Sequence, residues 1–164
     1  MCPPPGAREF ADPMKNRDRP HNPLTDRARY SVWTTDRIRL VDLDFQHHVN
    51  NVAFASFCAT GRYHFLQTHL RPVVGSDNVF SVVKLTIDYL GELRYPGEVE
   101  TGTLIRRFGR TSFVLGQGLF SEGVCVATSE AVMVYVDGKT RLASPLPAEV
   151  IAATAPYTES PAAP

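Results

Sequence analysis

Asp42-Leu43-Asp44-Phe45-Gln46-His47-His48-Val49-Asn50-Asn51 separates two stretches of different period. On its N-terminal side, Arg37-Ile38-Arg39-Leu40-Val41 reads as the end of a strand that begins near Tyr30. On its C-terminal side, Val52 to Leu70 contains no proline and is rich in Ala, Phe and Leu. That composition predicts a helix with Asn50 or Asn51 as its cap. The ten residues therefore set a carboxylate at the mouth of a helix. The free N–H groups and positive dipole end of the first turn can hold a developing oxyanion there.

Farther along the chain, Val83, Leu85, Ile87 and Tyr89 alternate with Val82, Lys84, Thr86 and Asp88, the period of a half-buried strand. Strand-like runs follow over Val99 to Phe108, Thr111 to Phe120 and Val124 to Val136, with Asp137-Gly138 marking a further turn. The short connections at Gly109-Arg110 and Glu122-Gly123 favour antiparallel hairpins over crossovers. Phe54, Phe57, Cys58, Phe65 and Leu66 spread over more than one stripe of the helix, as expected where a curved sheet wraps it. Gly61 costs a helix roughly 1 kcal/mol against Ala, which points to a close approach of sheet or partner backbone. Periodicity alone thus predicts an α+β domain with an antiparallel sheet.

The decapeptide resembles the loop and helix start of the 4-hydroxybenzoyl-CoA thioesterase-like branch of the hotdog-fold superfamily, and is similar to that of plant acyl-ACP thioesterases. The matching residues are Asp42, Asp44, His48, Val49, Asn50 and Asn51. The resemblance covers about Tyr30 to Val136. It implies a five-stranded antiparallel sheet wrapped around one long central helix, and a homodimer or homotetramer. The activity it implies is hydrolysis of an acyl-CoA to a free acid and CoA, with no cofactor beyond the CoA of the substrate. Two further readings stand beside this one: a non-catalytic hotdog module that binds acyl thioesters, and an acyl-ACP thioesterase.

The resemblance places the chemistry on Asp44, as a nucleophile toward the thioester carbonyl or as a base toward water. The other reading of Asp44 is a loop carboxylate that accepts turn hydrogen bonds; the surrounding motif favours catalysis. Asp42 is assigned to structure, although one intervening residue in extended backbone would let the two acids share a proton. His48 either orients water or ties down the loop, its ordinary pKa lying close to working pH. The backbone N–H of Asn51 is the candidate oxyanion donor, and Asn50 the cap. Gln46 stands where the plant enzymes have Asn and can orient water, while His47 replaces the usual Gly or Gln and narrows the acyl entrance. Thr60-Gly61-Arg62 stands where many relatives have Glu-Ala-Arg. The helix carboxylate is missing, and Thr60 is left as a candidate water holder.

Arg106, Arg107, Arg110 and Thr111 cluster at a predicted hairpin, where related enzymes bind the nucleotide, often from both subunits. Arginines there can grip CoA phosphates or be solvated turn charges; Lys84 is a weaker candidate of the same kind. His64 and His69 are five apart, not the four that would align two metal ligands. Neither a Gly-rich phosphate loop nor a Gly-x-Ser-x-Gly elbow occurs.

The chain has 164 residues, 17 basic and 17 acidic, so overall charge gives no support to a nucleic-acid partner. Of 13 prolines, 11 lie before Leu24 or after Ser144. That distribution divides the chain into a disordered tail over 1–24, a hotdog domain over 25–144 and a Pro/Ala-rich tail over 145–164. No apolar run is long enough for a signal peptide core or a membrane span. Cys2, Cys58 and Cys125 lack metal spacing and cannot all pair, which fits a reduced, cytoplasmic setting.

Overall fold

A computed structural model describes residues 22–159; the greater part of the expected N-terminal tail lies outside them. Strand β1 (Val32–Arg37) precedes helix α1 (Asn51–Phe65). A π-helical turn (Leu66–Leu70) and the short helix α2 (Arg71–Val74) lead into four strands, β2 (Val79–Tyr89), β3 (Glu98–Phe108), β4 (Ser112–Ser121) and β5 (Val124–Val136). Helix α3 (Ala148–Thr154) follows the last strand. The sheet is antiparallel in the order β1-β3-β4-β5-β2, so β1 and β2 are its edges. One long helix packed on a five-stranded antiparallel sheet is the hotdog arrangement.

Helix α1 divides its sheet-facing side into two apolar regions. Phe54, Phe57 and Cys58 meet Ile38, Val49, Val99 and Leu119 at one end, and Phe65 and Leu70 meet Ile105, Phe113, Leu115 and Met133 at the other. Between them the Arg62 guanidinium donates to Gln117 Oε1 (3.3 Å), while Gln117 Nε2 donates to the Cys58 carbonyl and to Thr103 Oγ1 (both 3.1 Å). Gly61 lies over this band, where a Cβ would stand 2.7 Å from Gln117 Nε2 and 2.8 Å from Thr101 Cγ2. The close approach expected of Gly61 is thus present, against side chains rather than backbone. The Glu122-Gly123 hairpin has both residues at positive φ (51° and 79°), the geometry that matches strand twist in a two-residue turn.

Three boundaries differ from the sequence reading. The first strand stops at Arg37, because Leu40–Asp42 closes into a 3-10 turn. The helix is not continuous to Leu70: the π turn after Phe65 brings Phe65 and Leu70, five apart and both fully buried, to the core. Part of the expected C-terminal tail is folded as well. Val150 of α3 is fully buried among Phe65, Leu70 and Ile105. Tyr157 packs on Phe65 and His69, and the Glu159 amide donates to the Ile105 carbonyl at 2.7 Å. Proline content concealed this because the segment docks through a few apolar anchors, Leu146, Val150 and Tyr157, set among its prolines.

The outer face of the sheet has its own small core, in which Tyr30, Trp33 and Phe120 pack edge to face beside Leu24. Cys58 and Cys125 are free thiols. Among the described residues no helix is long and apolar enough to cross a membrane.

Candidate active site

The loop from Leu43 to Val49 is closed on itself before it meets the helix. Leu43 and Val49 form an isolated antiparallel bridge, the Asp44 amide donates to the His48 carbonyl (2.8 Å), and the His47 amide donates to the Asp44 carbonyl (3.1 Å). Asp44 Oδ1 accepts the amides of Gln46 (2.8 Å) and His48 (3.2 Å). Its other carboxylate oxygen makes no hydrogen bond among the described residues. Asp44, a half-buried residue, therefore does close the turn with one oxygen and keeps the other unengaged among the described residues.

Asp42 is the anchor beneath this loop. Its buried carboxylate accepts the Arg39 amide (2.7 Å), Nε (3.1 Å) and Nη2 (2.8 Å). The Arg39 guanidinium holds the Asp42 carboxyl below its ordinary range, and the Asp42 carbonyl accepts the Asn50 amide at 2.8 Å. So engaged, Asp42 does not share a proton with Asp44. Asn50 caps α1, its side chain accepting the Val52 amide at 2.9 Å. Asn51 is the first residue of the helix, and its amide has no acceptor among the described residues, as expected of a first-turn N–H. The Asn51 carbonyl accepts the Tyr89 hydroxyl at 3.3 Å, with the Tyr89 ring edge-on to Phe54.

His48 is turned away from the Asp44 carboxylate: Nε2 lies 3.4 Å from Glu92 Oε2, which also receives Arg94 (3.0 Å). Glu92 belongs to the loop between β2 and β3, whose Leu93 carbonyl accepts the Val49 amide at 2.9 Å. Nothing in the sequence signals this Glu, because the loop has no period that relates it to the motif. Gln46 and His47 are exposed, and His47 has φ 61°. Leu40, Val41, Phe45 and Val52 are exposed around the same loop, giving the mouth an apolar rim.

Thr60 does not join this group. Nine residues of helix separate it from Asn51, roughly 13 Å of rise, and its hydroxyl donates to the Ser56 carbonyl at 3.3 Å. It faces Asp36 of β1, a residue the sequence reading passed over. Asp36 Oδ2 is buried without a hydrogen-bond partner among the described residues. Desolvation raises its pKa, the Thr60 side chain opposing the shift.

The arginine cluster also divides. Arg106 is a bulge residue between Ile105 and Arg107 and is ion-paired with Glu130 and with Glu159 (3.2 Å). Two of its nitrogens are thus engaged with carboxylates, one on β5 and one on the C-terminal segment. Arg107 and Arg110 are exposed and have no ion pair among the described residues, and Thr111 accepts the Tyr135 amide at 2.9 Å through its carbonyl. This turn lies at the far end of β3 from the Asp44 loop, since Ile38 and Gly97 pair at the near end; ten strand steps make the separation roughly 33 Å.

A cavity of about 680 Å³ near Glu92 is lined by Arg94 and by the carboxylates of Glu92, Glu98, Glu100 and Glu122, a poor environment for an anionic nucleotide. Among the described residues no group of three His, Cys, Asp or Glu could hold a metal ion. The His69 ring packs at a tilt of 43° on Tyr157, with centroids 4.2 Å apart, and burial lowers its pKa.

Residues 38–154 match the family model of the thioesterase-like superfamily. No curated protein matches the chain. Among solved structures, the PA5185 protein of Pseudomonas aeruginosa strain PAO1 is 27% identical with a TM-score of 0.73, over 82% of this chain and 96% of that one. A thioesterase of Thermus thermophilus, complexed with coenzyme A and Zn, is 25% identical with a TM-score of 0.69, over 78% and 94%. The SAV2348 protein of Staphylococcus aureus, in complex with CoA, shares the fold at 16% identity and a TM-score of 0.71, over 81% and 89%. With the family model spanning most of the domain, the chain belongs to the thioesterase-like superfamily and is a thioester hydrolase of the hotdog fold.

Proposed function

We propose that the protein is a cytoplasmic acyl-CoA thioesterase, releasing a carboxylic acid and CoA, with Asp44 as its principal catalytic group. The observation that carries this is the state of Asp44: one oxygen is fixed by two loop amides and the other has no partner among the described residues, in the loop that leads into α1. That helix opens with the Asn51 amide, which has no acceptor among the described residues. A thioester carbonyl set between them would have its oxygen on the Asn51 N–H, where the helix dipole favours the charge that develops. Asp44 then either attacks the carbonyl carbon, expelling thiolate and forming an anhydride that water opens, or takes a proton from a water that attacks. In both routes the C–S bond breaks, the acyl carbon gains an oxygen from water or carboxylate, and the thiol leaves with a proton.

His48 and Gln46 have supporting roles in this reading. His48, set against Glu92, fixes the loop through its backbone, and the side-chain amide of the exposed Gln46 orients water. The coenzyme A bound by the Thermus thermophilus structure supports CoA as the thiol. Arg107 and Arg110 suit its phosphates but are too distant from Asp44 of the same chain to serve one substrate. A homodimer that places the arginine turn of one subunit beside the Asp44 loop of the other removes that difficulty.

The test is a panel of acyl-CoA substrates assayed for thiol release. Hydrolysis above background that is lost in Asp44→Asn supports the enzyme. Tight acyl-CoA binding without turnover supports the binding module, in which Asp44 does no more than close the turn.

A further inference from the structure

Arg62 is a buried charge without a counter-ion. It is 7% exposed and has no ion pair among the described residues. Its guanidinium makes one hydrogen bond there, at 3.3 Å to the neutral Gln117 Oε1. A guanidinium has several further N–H donors and stays protonated in proteins. Taking such a charge out of water is costly unless an anion and further acceptors meet it. The neighbouring groups do not supply the anion. Burial pushes the Cys58 thiol up, so it stands beside Arg62 as a neutral group. Asp36 lies on β1 against Thr60, and the charges that act on it are those of Arg39 and Asp42.

The surroundings of the guanidinium lead toward the Asn51 end of the helix. Gln117 stands opposite Ser129 on β5, and Ser129 opposite Ile87 on β2, so the three form one row across the helix-facing side of the sheet. The Ser129 hydroxyl is buried with only the weak Cys58 thiol beside it. On β2, Ile87 is half-buried and its same-face neighbour Leu85 is 37% exposed, while Tyr89 on the other side donates to the Asn51 carbonyl. Two strand steps from Ile87 to Tyr89 amount to roughly 7 Å. The Arg62 side chain tilts toward the N-terminus of α1, to the level of Cys58, whose carbonyl shares Gln117 with it. From Asn51 to Cys58 the helix rises roughly 10 Å. Arg62 is therefore within the length of a medium acyl chain from Asn51, beside a strip of sheet that the helix leaves open.

We propose that Arg62 and Ser129 bind the distal carboxylate of an acyl group, so that the substrates are thioesters of medium-length dicarboxylic acids, with Asp44 and Asn51 at the thioester end. This rests on the thioesterase reading of the Asp44 loop and adds the chemical class of the acyl group. The carboxylate accepts from the guanidinium fork and from the Ser129 hydroxyl. Gln117 Oε1 orients the guanidinium, and Gln117 is itself fixed by its bonds to the Cys58 carbonyl and Thr103 Oγ1. A methyl-ended chain of the same length leaves the charge buried and unmatched, which is how a polar site rejects an analogue that lacks the group it binds.

Two measurements on the full chain test this. In thiol-release assays the parent should favour suberyl-CoA over octanoyl-CoA, its methyl-ended counterpart, by at least about a hundredfold in kcat/KM. Arg62→Met should bring the two within about threefold of each other, and Arg62→Lys, which keeps the charge without the fork, should retain part of the preference. The second measurement needs no turnover. Free suberate should raise the melting temperature of the parent and octanoate should not, and Arg62→Met should lose that shift while melting no lower than the parent without ligand. A suberate shift that depends on Arg62, in a chain that hydrolyses no acyl-CoA, upholds the carboxylate site and refutes the thioesterase reading. Turnover of octanoyl-CoA equal to that of suberyl-CoA, or a suberate shift that persists in Arg62→Met, overturns the site without touching the thioesterase reading. An Arg62→Met chain that melts far below a parent unmoved by suberate makes Arg62 a structural residue and overturns the site as well.

Discussion

Asp44 and His48 are joined twice: the Asp44 amide donates to the His48 carbonyl at 2.8 Å, and the His48 amide donates to Asp44 Oδ1 at 3.2 Å. The backbone bond does not depend on the Asp44 side chain, and the side-chain bond needs only an oxygen. Asp44→Asn should therefore keep the loop, with a melting temperature close to the parent's, while turnover falls at least about a hundredfold through loss of the base or nucleophile. Asp44→Ala should lose both activity and stability, the latter by about 1–3 kcal/mol for the loop amides left without an acceptor. Equal activity of Asn and Ala variants with the parent would move the chemistry elsewhere.

Asp42 predicts a different signature. Its carboxyl is held below the ordinary range by Arg39, so the folded state favours the ionised form. A group of this kind stabilises the fold above its unfolded pKa and loses that contribution as the pH falls through its folded value. Acid unfolding of the parent below about pH 4 should include this group, and Asp42→Asn should flatten that limb while costing less activity than Asp44→Asn. Melting temperature followed against pH checks both statements.

Asp36 has the opposite sign. Burial raises its pKa, so its ionised form at neutral pH opposes folding, and stability returns as the pH falls through the raised value toward the unfolded one. Asp36→Asn should leave the melting temperature at pH 7 unchanged or higher. A clear loss would mean that the unpartnered Oδ2 has an acceptor role met by water.

The differing legibility of these residues has a physical basis. The strands were readable because Leu85, Ile87 and Tyr89 repeat with period two, and the cap because Asn50 has few other uses before an apolar run. The contacts of Arg106 and Thr60 were not readable, since their neighbours lie far away in sequence: Glu130 and Glu159 for one and Asp36 for the other. Motif spacing places the Asp44 loop locally. It carries no information about which end of a strand the arginines occupy.

Val150 tests the C-terminal segment. It is fully buried against Phe65 and Leu70, so Val150→Ala should cost on the order of 2 kcal/mol, and truncation after Ser144 should cost more. Urea unfolding measures both. A truncated chain as stable as the parent would return these residues to the status of a tail.

The last prediction separates CoA from carrier-protein substrates through the two arginines that remain uncommitted. Arg110 is exposed at the β3–β4 turn, whereas Arg106 is bound to Glu130 and Glu159. Arg110→Ala should raise KM for acyl-CoA, weaken its dependence on salt, and leave a truncated pantetheine thioester nearly unaffected. The truncated substrate has the same scissile bond but no nucleotide phosphates, so the chemistry at Asp44 is held constant while the charge contact is removed. Arg106→Ala should instead lower stability and affect both substrates alike, because it releases the C-terminal segment. Equal losses on both substrates for Arg110→Ala would assign it to the hairpin or the subunit interface. No loss on either would leave it a solvated turn residue, and the phosphate grip would then fall to Arg107 or to the surface of a carrier protein.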